Sequence, residues 1–182
     1  MKITIITPSY NQADYLEETI NSVLSQGYQD LEYMVFDGGS TDNSVEVIKK
    51  YEQHLSYWES KPDKGQSDAI NKGLQRASGD IINWLNSDDY YEPGTLQKVA
   101  AAFEKPETLM VTGRSRIFND DDQRTLAYSR GTDIYPNQLA RTIGQARIDQ
   151  PETFFRKKAI DHMGLLNARL HYIMDKEWYV RF

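Results

Sequence analysis

Two adjacent carboxylates, Asp88 and Asp89, close the run Ile81-Ile82-Asn83-Trp84-Leu85-Asn86-Ser87-Asp88-Asp89. The run starts as an apolar strand and ends in acids, one way to place a metal or catalytic site at the C-terminal end of a parallel strand. Neighbouring carboxylates repel, so they need a cation, a donor or water beside them. Read alone, the stretch serves equally well as a solvated turn before a helix. Two other loops carry acids: Asp37-Gly38-Gly39-Ser40-Thr41-Asp42, and Asp63-Lys64-Gly65-Gln66-Ser67-Asp68. Asp88 and Asp89 suit Mg2+ or Mn2+, ions that prefer oxygen ligands and are often shared with substrate phosphates. An ion there could neutralise a departing diphosphate. Asp37 can accept hydrogen bonds from a base or ribose. Asp175, behind the apolar Tyr172-Ile173-Met174, could serve as general base on a hydroxyl, although taken by itself an ordinary acid at a helix start is the simpler reading.

The elements that must carry these residues follow from pattern. Residues 2–7 are β-branched or apolar on both parities, as in a strand buried on both faces, and Pro8 is expected to end it. Asn11 is expected to cap the next helix with help from Asp14, and Leu16, Ile20, Val23 and Leu24 recur at helical spacing up to Gly27. Residues 31–36 form a second strand, and Thr41 or Asp42 caps a helix carrying Val45, Ile48 and Tyr51. Residues 55–59 make a short third strand. A helix with Ile70 and Leu74 follows, broken by Gly79, and then the central strand. Pro93 suits the first turn of a helix bearing Leu96, Val99, Ala100 and Phe103. Strand and helix thus alternate four times with short connections, the signature of a doubly wound α/β domain. All three acid-bearing loops then fall at or near the C-terminal ends of the strands.

After Pro106 the pattern changes. Residues 109–113 read as a fifth strand, 114–119 as its continuation or a new strand, and 119–122 as a solvated hairpin turn before 125–128. Residues 135–148 are weakly patterned, a loop or short helix. Residues 153–155 read as a strand and 157–163 as a helix ended by Gly164. The chain stops abruptly after Asp175-Lys176-Glu177-Trp178-Tyr179-Val180-Arg181-Phe182, as a chain cut short would, or as an ordinary terminal helix that ends early.

Bulk properties narrow the classes. The 182 residues, 39% hydrophobic and 26% charged, suffice for one folded domain. A net charge of −6 argues against a nucleic-acid backbone binder. With no cysteine, disulfide and thiolate chemistry are excluded, and three scattered histidines make no histidine metal site. No GxxxxGK[ST] or GxGxxG motif is present. The N-terminal apolar run is too short for a signal peptide and no run reaches the length of a membrane span, so a cytoplasmic location is expected.

In order and spacing, these pieces resemble family 2 glycosyltransferases, the inverting group with the GT-A nucleotide-sugar fold. Ile5-Ile6-Thr7-Pro8-Ser9-Tyr10-Asn11 resembles the family's opening strand and loop. Phe36-Asp37-Gly38-Gly39-Ser40-Thr41-Asp42 resembles its second loop, and Asp63-Lys64-Gly65 with Asp68-Ala69 its third. Leu85-Asn86-Ser87-Asp88-Asp89 resembles its acidic metal motif, with Asn86 where the usual form has aspartate. Gln150-Pro151-Glu152-Thr153-Phe154-Phe155-Arg156 resembles the acceptor-side strand of bacterial polysaccharide enzymes. The segment 172–181 resembles the catalytic-acid segment, with Met174 where glutamate is more usual.

The resemblance implies a Rossmann-like, mostly parallel sheet flanked by helices, forming a single domain over 1–182. Within it, 1–105 would be the nucleotide-sugar-binding half and 106–182 the acceptor-side half, cut short at its C-terminal end. It implies donor contacts from Pro8, Tyr10, Asn11, Asp37, Gly39, Asp63, Lys64, Gly65, Asp68, Asn86 and Ser87. It implies Mn2+ or Mg2+ at Asp88 and Asp89, with the principal ligand left open, and Asp175 as general base. The implied partners are a nucleoside-diphosphate sugar, most often a uridine diphosphate sugar, and a saccharide or lipid-linked saccharide acceptor of cell-surface polysaccharide synthesis. Peripheral association with the inner face of the membrane is compatible with this. Arg147, Arg156 and His171 are candidate phosphate or acceptor contacts. A catalytically silent nucleotide-sugar-binding domain and a nucleotidyltransferase are the rival readings.

Overall fold

The computed structural model describes residues 1–129, 149–170 and 172–182. Its frame is a six-stranded sheet built from β1 (Ile3–Ser9), β2 (Leu31–Asp37), β3 (Tyr57–Ser60), β4 (Ile81–Trp84), β5 (Met110–Thr112) and β8 (Thr153–Arg156), in the order β3-β2-β1-β4-β8-β5. The first four strands run parallel, and β8 runs antiparallel to both β4 and β5. Two further strands, β6 (Arg116–Phe118) and β7 (Thr125–Tyr128), pair as a separate hairpin. Helices α1 (Ala13–Leu24), α2 (Ser44–Tyr51), α3 (Gln66–Arg76), α4 (Thr95–Ala102), α5 (Lys157–Met163) and α6 (Met174–Val180) accompany them, with short 3-10 turns at Glu52–His54 and Gln150–Glu152. The expectation for 135–148 lies outside the described residues.

The alternation of side chains along each strand builds two cores. Ile5, Tyr33, Val35, Ile81 and Phe154 face α1, α2 and α4. Their neighbours Ile6, Met34, Phe36, Ile82, Trp84 and Phe155 face α3, α5 and α6. A strand flanked by helices on both faces buries both parities, which is why β1 is buried at every position. Close approach fixes α3 on the sheet: a Cβ at Gly73 would lie 2.5 Å from Ile6 Cγ2.

Several local expectations need correction. Pro8 does not end β1, which continues through Pro8 and Ser9 in register with Phe36 and Asp37. β4 accompanies β1 only as far as the pair Ile6–Trp84, so Pro8 occupies an edge-like position where a strand accommodates proline. Asn11 does not cap α1. Its backbone is left-handed (φ 52°), and the amides at the helix start are met from the next loop. Gln12 N donates to Ser44 Oγ (3.1 Å) and Ala13 N to Asp42 Oδ2 (3.0 Å). Neither Thr41 nor Asp42 is the N-cap of α2, a position Asn43 holds, but Asp42 Oδ1 still accepts from Ser44 N (3.0 Å), the first residue of the helix. The third strand begins at Tyr57 because Glu52–His54 forms a 3-10 turn before it. Pro93 stands before α4 rather than in its first turn, since Gly94 precedes the helix with a left-handed backbone.

Candidate active site

The C-terminal ends of β1, β2 and β4 bring the first, second and acidic loops to one edge of the sheet. Hydrogen bonds wire neighbouring loops together. Asn11 Oδ1 accepts from Thr41 N (2.9 Å), and Asn11 N donates to Ser40 Oγ (2.8 Å). Gly38 lies so close to the third loop that a Cβ there would meet Asp63 Oδ2 at 3.1 Å. Gly39 takes a left-handed backbone (φ 84°), and a Cβ there would sit 3.0 Å from Pro62 N, so both conformation and space call for glycine. Gln66, the first residue of α3, donates from Nε2 to Asn86 Oδ1 (2.7 Å) and so joins the third loop to the acidic turn.

Asp37 is buried at the end of β2. Its Oδ2 accepts from Gly39 N (3.1 Å), Ser40 N (2.9 Å) and Ser60 Oγ (2.6 Å), and its Oδ1 from Ser40 Oγ. Each carboxylate oxygen offers about two acceptor positions. Oδ2 is more than filled by its three donors, whereas Oδ1 accepts one, so Asp37 shapes its own loop first and has room for a further donor only on Oδ1. Ser9 lies opposite Asp37 in the β1–β2 register, and its Oγ is buried without a partner among the described residues. In the third loop, Asp63 Oδ1 holds Gly65 N (2.8 Å). Asp68 Oδ2 accepts from Lys64 N (3.3 Å) and pairs with Lys72 (3.3 Å). Pro8 and Ser87 are buried, whereas Tyr10 and Lys64 are exposed along this edge.

The acid pair differs in setting. Asp88 is exposed, and Asp89 is half-buried beside Asn86, whose Nδ2 donates to Asp89 Oδ2 (3.3 Å). Burial, and then the Asp88 charge, push Asp89 up to about 6 against the opposing Asn86 hydrogen bond. Among the described residues neither carboxylate has an ion-pair partner. Hard oxygen donors with unrelieved mutual repulsion fit a small divalent cation. The described residues contain no group of three or more His, Cys, Asp or Glu side chains gathered for a metal, so among them Asp88 and Asp89 are the pair that could hold one.

Asp175 lies half-buried in the first turn of α6. The segment leading to it docks on α3: Leu166 exchanges hydrogen bonds with the Asn71 side chain (2.8 and 2.9 Å), and Ser67 Oγ donates to Leu170 O (3.3 Å). Met174, next to Asp175, lines a small cleft with Lys64, Gln66 and Ser67. The start of α6, with Met174, is thereby carried to the third loop, on the α3 face of the sheet. Ile173 enters α6 with a left-handed backbone (φ 55°), a strained conformation for a β-branched residue and one that sets the helix direction.

A larger cavity, about 870 Å³, opens on the other face, between α1, the acidic turn, α4 and the β6–β7 hairpin. Asp88 and Asp89 line it, but Asp37, Asp63 and Asp175 do not. Of the candidate phosphate contacts, Arg156 is used structurally, donating to the carbonyls of Thr108, Phe103 and Lys105 at 2.8, 2.7 and 3.1 Å. Arg147 and His171 lie outside the described residues. Sequence reasoning passed over Ser60, which grips Asp37, and Gln66, which bridges two loops. It also passed over Gln150, whose Nε2 bonds Asn83 Oδ1 (3.2 Å) and the Trp84 carbonyl at the end of β4. Gln66 stood in view at a helix start, whereas Ser60 is legible only once β2 and β3 are in register.

Comparison with known proteins places this architecture. Residues 4–164 match the model of the glycosyl transferase family 2. A glycosyltransferase of Mycobacterium tuberculosis is 41% identical over 182 residues, covering 98% of this chain and 68% of that protein. The putative teichuronic acid biosynthesis glycosyltransferase TuaG of Bacillus subtilis is 35% identical over 124 residues, covering 65% of this chain and 48% of that protein. Among solved structures, Staphylococcus aureus TarS 1–349 superposes with a TM-score of 0.77 at 22% identity, over 100% of this chain and 55% of that one. The same TarS fragment is known in complex with UDP-GlcNAc. A mannosyltransferase of Pyrobaculum calidifontis, solved with GDP-Man and Mn2+, superposes with a TM-score of 0.68 at 20% identity, over 93% of this chain and 48% of that one. The chain thus spans about half to two thirds of the length of these relatives. The fold is the GT-A arrangement of a mixed, mainly parallel sheet between helices, and the chain belongs to glycosyl transferase family 2.

Proposed function

We propose that this domain moves a sugar from a nucleoside-diphosphate donor, a UDP-sugar, to a hydroxyl of a saccharide or lipid-linked saccharide, with inversion at the anomeric carbon, in the synthesis of a cell-surface polysaccharide. The observation that carries this reading is the wiring of the first, second, third and acidic loops to one another at the C-terminal edge of the parallel strands. That edge is where α/β sheets take nucleotides. Asp37 keeps one acceptor position for a base N–H, and the buried, unpartnered Ser9 hydroxyl waits beside it for a ligand atom. TarS with UDP-GlcNAc and the Pyrobaculum enzyme with GDP-Man support a nucleotide-sugar donor, and TuaG supports a surface polysaccharide as the destination.

Asp88 and Asp89 would hold Mn2+ or Mg2+. Bound there, the ion supplies positive charge to the departing diphosphate. Asn86 fixes Asp89 from one side and is itself held by Gln66, so the donor loops and the acid pair form one hydrogen-bonded unit. Asp175 would take the proton of the acceptor hydroxyl as that oxygen attacks the anomeric carbon opposite the diphosphate. In the described residues no helix is long and apolar enough to cross a membrane. We place the domain at the cytoplasmic face, peripheral to the membrane.

A silent nucleotide-sugar-binding domain is the second reading, and the neutral Asn86 in the acidic motif favours it. Turnover separates the two. Slow hydrolysis of a UDP-sugar, followed by proton NMR, should release the sugar with inverted configuration, and Asp175→Asn should slow it roughly 10²–10⁴-fold without weakening UDP binding. Retained configuration would defeat the inverting mechanism. UDP binding without turnover would select the silent domain.

A further inference from the structure

We propose that Gln66 is a positioning residue for the acid pair: acting through Asn86, it orients the Asp89 carboxylate and couples the third loop to the divalent-ion site. This rests on the sugar-transfer reading above, with its ion at Asp88 and Asp89.

The first ground is a relay with a single polarity. Gln66 Nε2 donates to Asn86 Oδ1 (2.7 Å), and Asn86 Nδ2 donates to Asp89 Oδ2 (3.3 Å). An ionised carboxylate only accepts, so Asp89 calls for the amino end of the Asn86 amide. The carbonyl end then faces Gln66, which must offer its own amino group. The Asp89 carboxylate thus dictates the polarity of the whole relay, and Gln66 holds the Asn86 amide in the one orientation that serves Asp89. Among the described residues, Asn86 is the one hydrogen-bond donor to that carboxylate.

The second ground is that both ends of the relay are anchored. Gln66 is the first residue of α3, whose place on the sheet is fixed by the close approach of Gly73 to Ile6. Its neighbour Ser67 is buried and donates to Leu170 O (3.3 Å). At the other end the Asp89 backbone is held twice: its carbonyl accepts from Thr19 Oγ1 of α1 (2.8 Å), and its N–H donates to Asn86 O (3.1 Å). With the backbone held at both ends, the torsion of the Asp89 side chain is the remaining freedom, and the relay restrains it. Groups that orient a metal ligand in this way tune the affinity of the ion without touching it.

The third ground is place. Gln66 also lines the small cleft with Met174, the residue before Asp175. One side chain is therefore shared by the start of α6 and the acidic turn.

The test is calorimetric titration of UDP into the 182-residue chain, once with Mn2+ and once with chelator, for wild type, Gln66→Met, Asn86→Ala and the double variant. Gln66→Met keeps the length of the side chain and removes the donor, and Gln66→Ala replaces it should that variant fail to fold. The quantity read is the gain in UDP affinity that Mn2+ brings over chelator. Gln66→Met should cut this gain at least about threefold, less than the roughly 10–100-fold typical of a group that touches a metal ligand directly, and should leave UDP affinity in chelator within about twofold of wild type. Asn86→Ala should cut the gain at least as much, and the double variant no further, because the two residues act as one unit. An unchanged gain in Gln66→Met would overturn the inference. So would an equal loss in both arms, which marks a structural role or a direct UDP contact, and so would additive losses in the double variant. In each of these cases the ion at the acid pair still stands. Wild-type UDP binding with no gain from Mn2+ would overturn the inference and the ion together.

Discussion

Asp37 illustrates how a residue can hold a site together and still meet a ligand. Its carboxylate gathers two backbone amides and two serine hydroxyls, so removing it frees the loop as well as the ligand contact. Asp37→Ala should weaken UDP binding at least about tenfold, since a hydrogen bond to a charged group is worth roughly 1.5–3 kcal/mol. Calorimetry measures this directly, and undiminished affinity would remove Asp37 from the donor site. The acids themselves were legible in sequence because each follows an apolar strand. Their partners were not. Ser60 reaches Asp37 only through the register of β2 with β3, and Gln66 reaches Asn86 across a sequence separation of 20. Such pairs follow from topology, which local pattern does not encode.

At the scale of elements, the starts of α1 and α2 are coupled. Asp42 accepts from Ala13 at one helix and from Ser44 at the other. Asp42→Ala should therefore cost about 1–2 kcal/mol, the range of a lost helix cap, and the loss should appear as a lower denaturant midpoint with an unchanged slope. A midpoint equal to wild type would show that water replaces Asp42 at both helix starts. Runs of apolar and β-branched residues marked β1, β2 and β4 correctly, because a strand between two layers of helices is buried on both parities. Local punctuation was less dependable. Pro8 read as a strand end, yet β1 continues because β4 has already left its side. Asn11 read as a cap, yet it takes a left-handed backbone and binds the neighbouring loop. The reversed direction of β8 could not be read at all, since it depends on which edge of the sheet the chain returns to.

For the molecule as a whole, acid stability should depend on a carboxylate far from the proposed chemistry. Glu32, near the N-terminal end of β2, ties that strand to β1 and to the turn before β4. Burial raises its pKa, but hydrogen bonds from Ser78, Thr4 and Lys2 outweigh burial and hold it at about 2 instead of 4.5. A carboxylate depressed on folding contributes its full stability above its ordinary pKa. That contribution is lost as pH falls from 4.5 toward about 2. The amount is on the order of 2 kcal/mol. In Glu32→Gln, thermal midpoints should accordingly fall less steeply than wild type across this window. Parallel curves would show that Glu32 carries no such load.

The donor edge, where the four loops and their acid pair converge, is where the proposed chemistry stands or falls. Its most direct measurement is calorimetric titration of UDP, GDP, ADP and CDP into the chain, with Mn2+ and with chelator, for wild type and for the Asp88→Ala/Asp89→Ala double variant. UDP should bind best, chelator should weaken it, and the double variant should lose the metal-dependent part. Failure of every nucleotide to bind, or equal binding with and without the acid pair and metal, would contradict this chemistry.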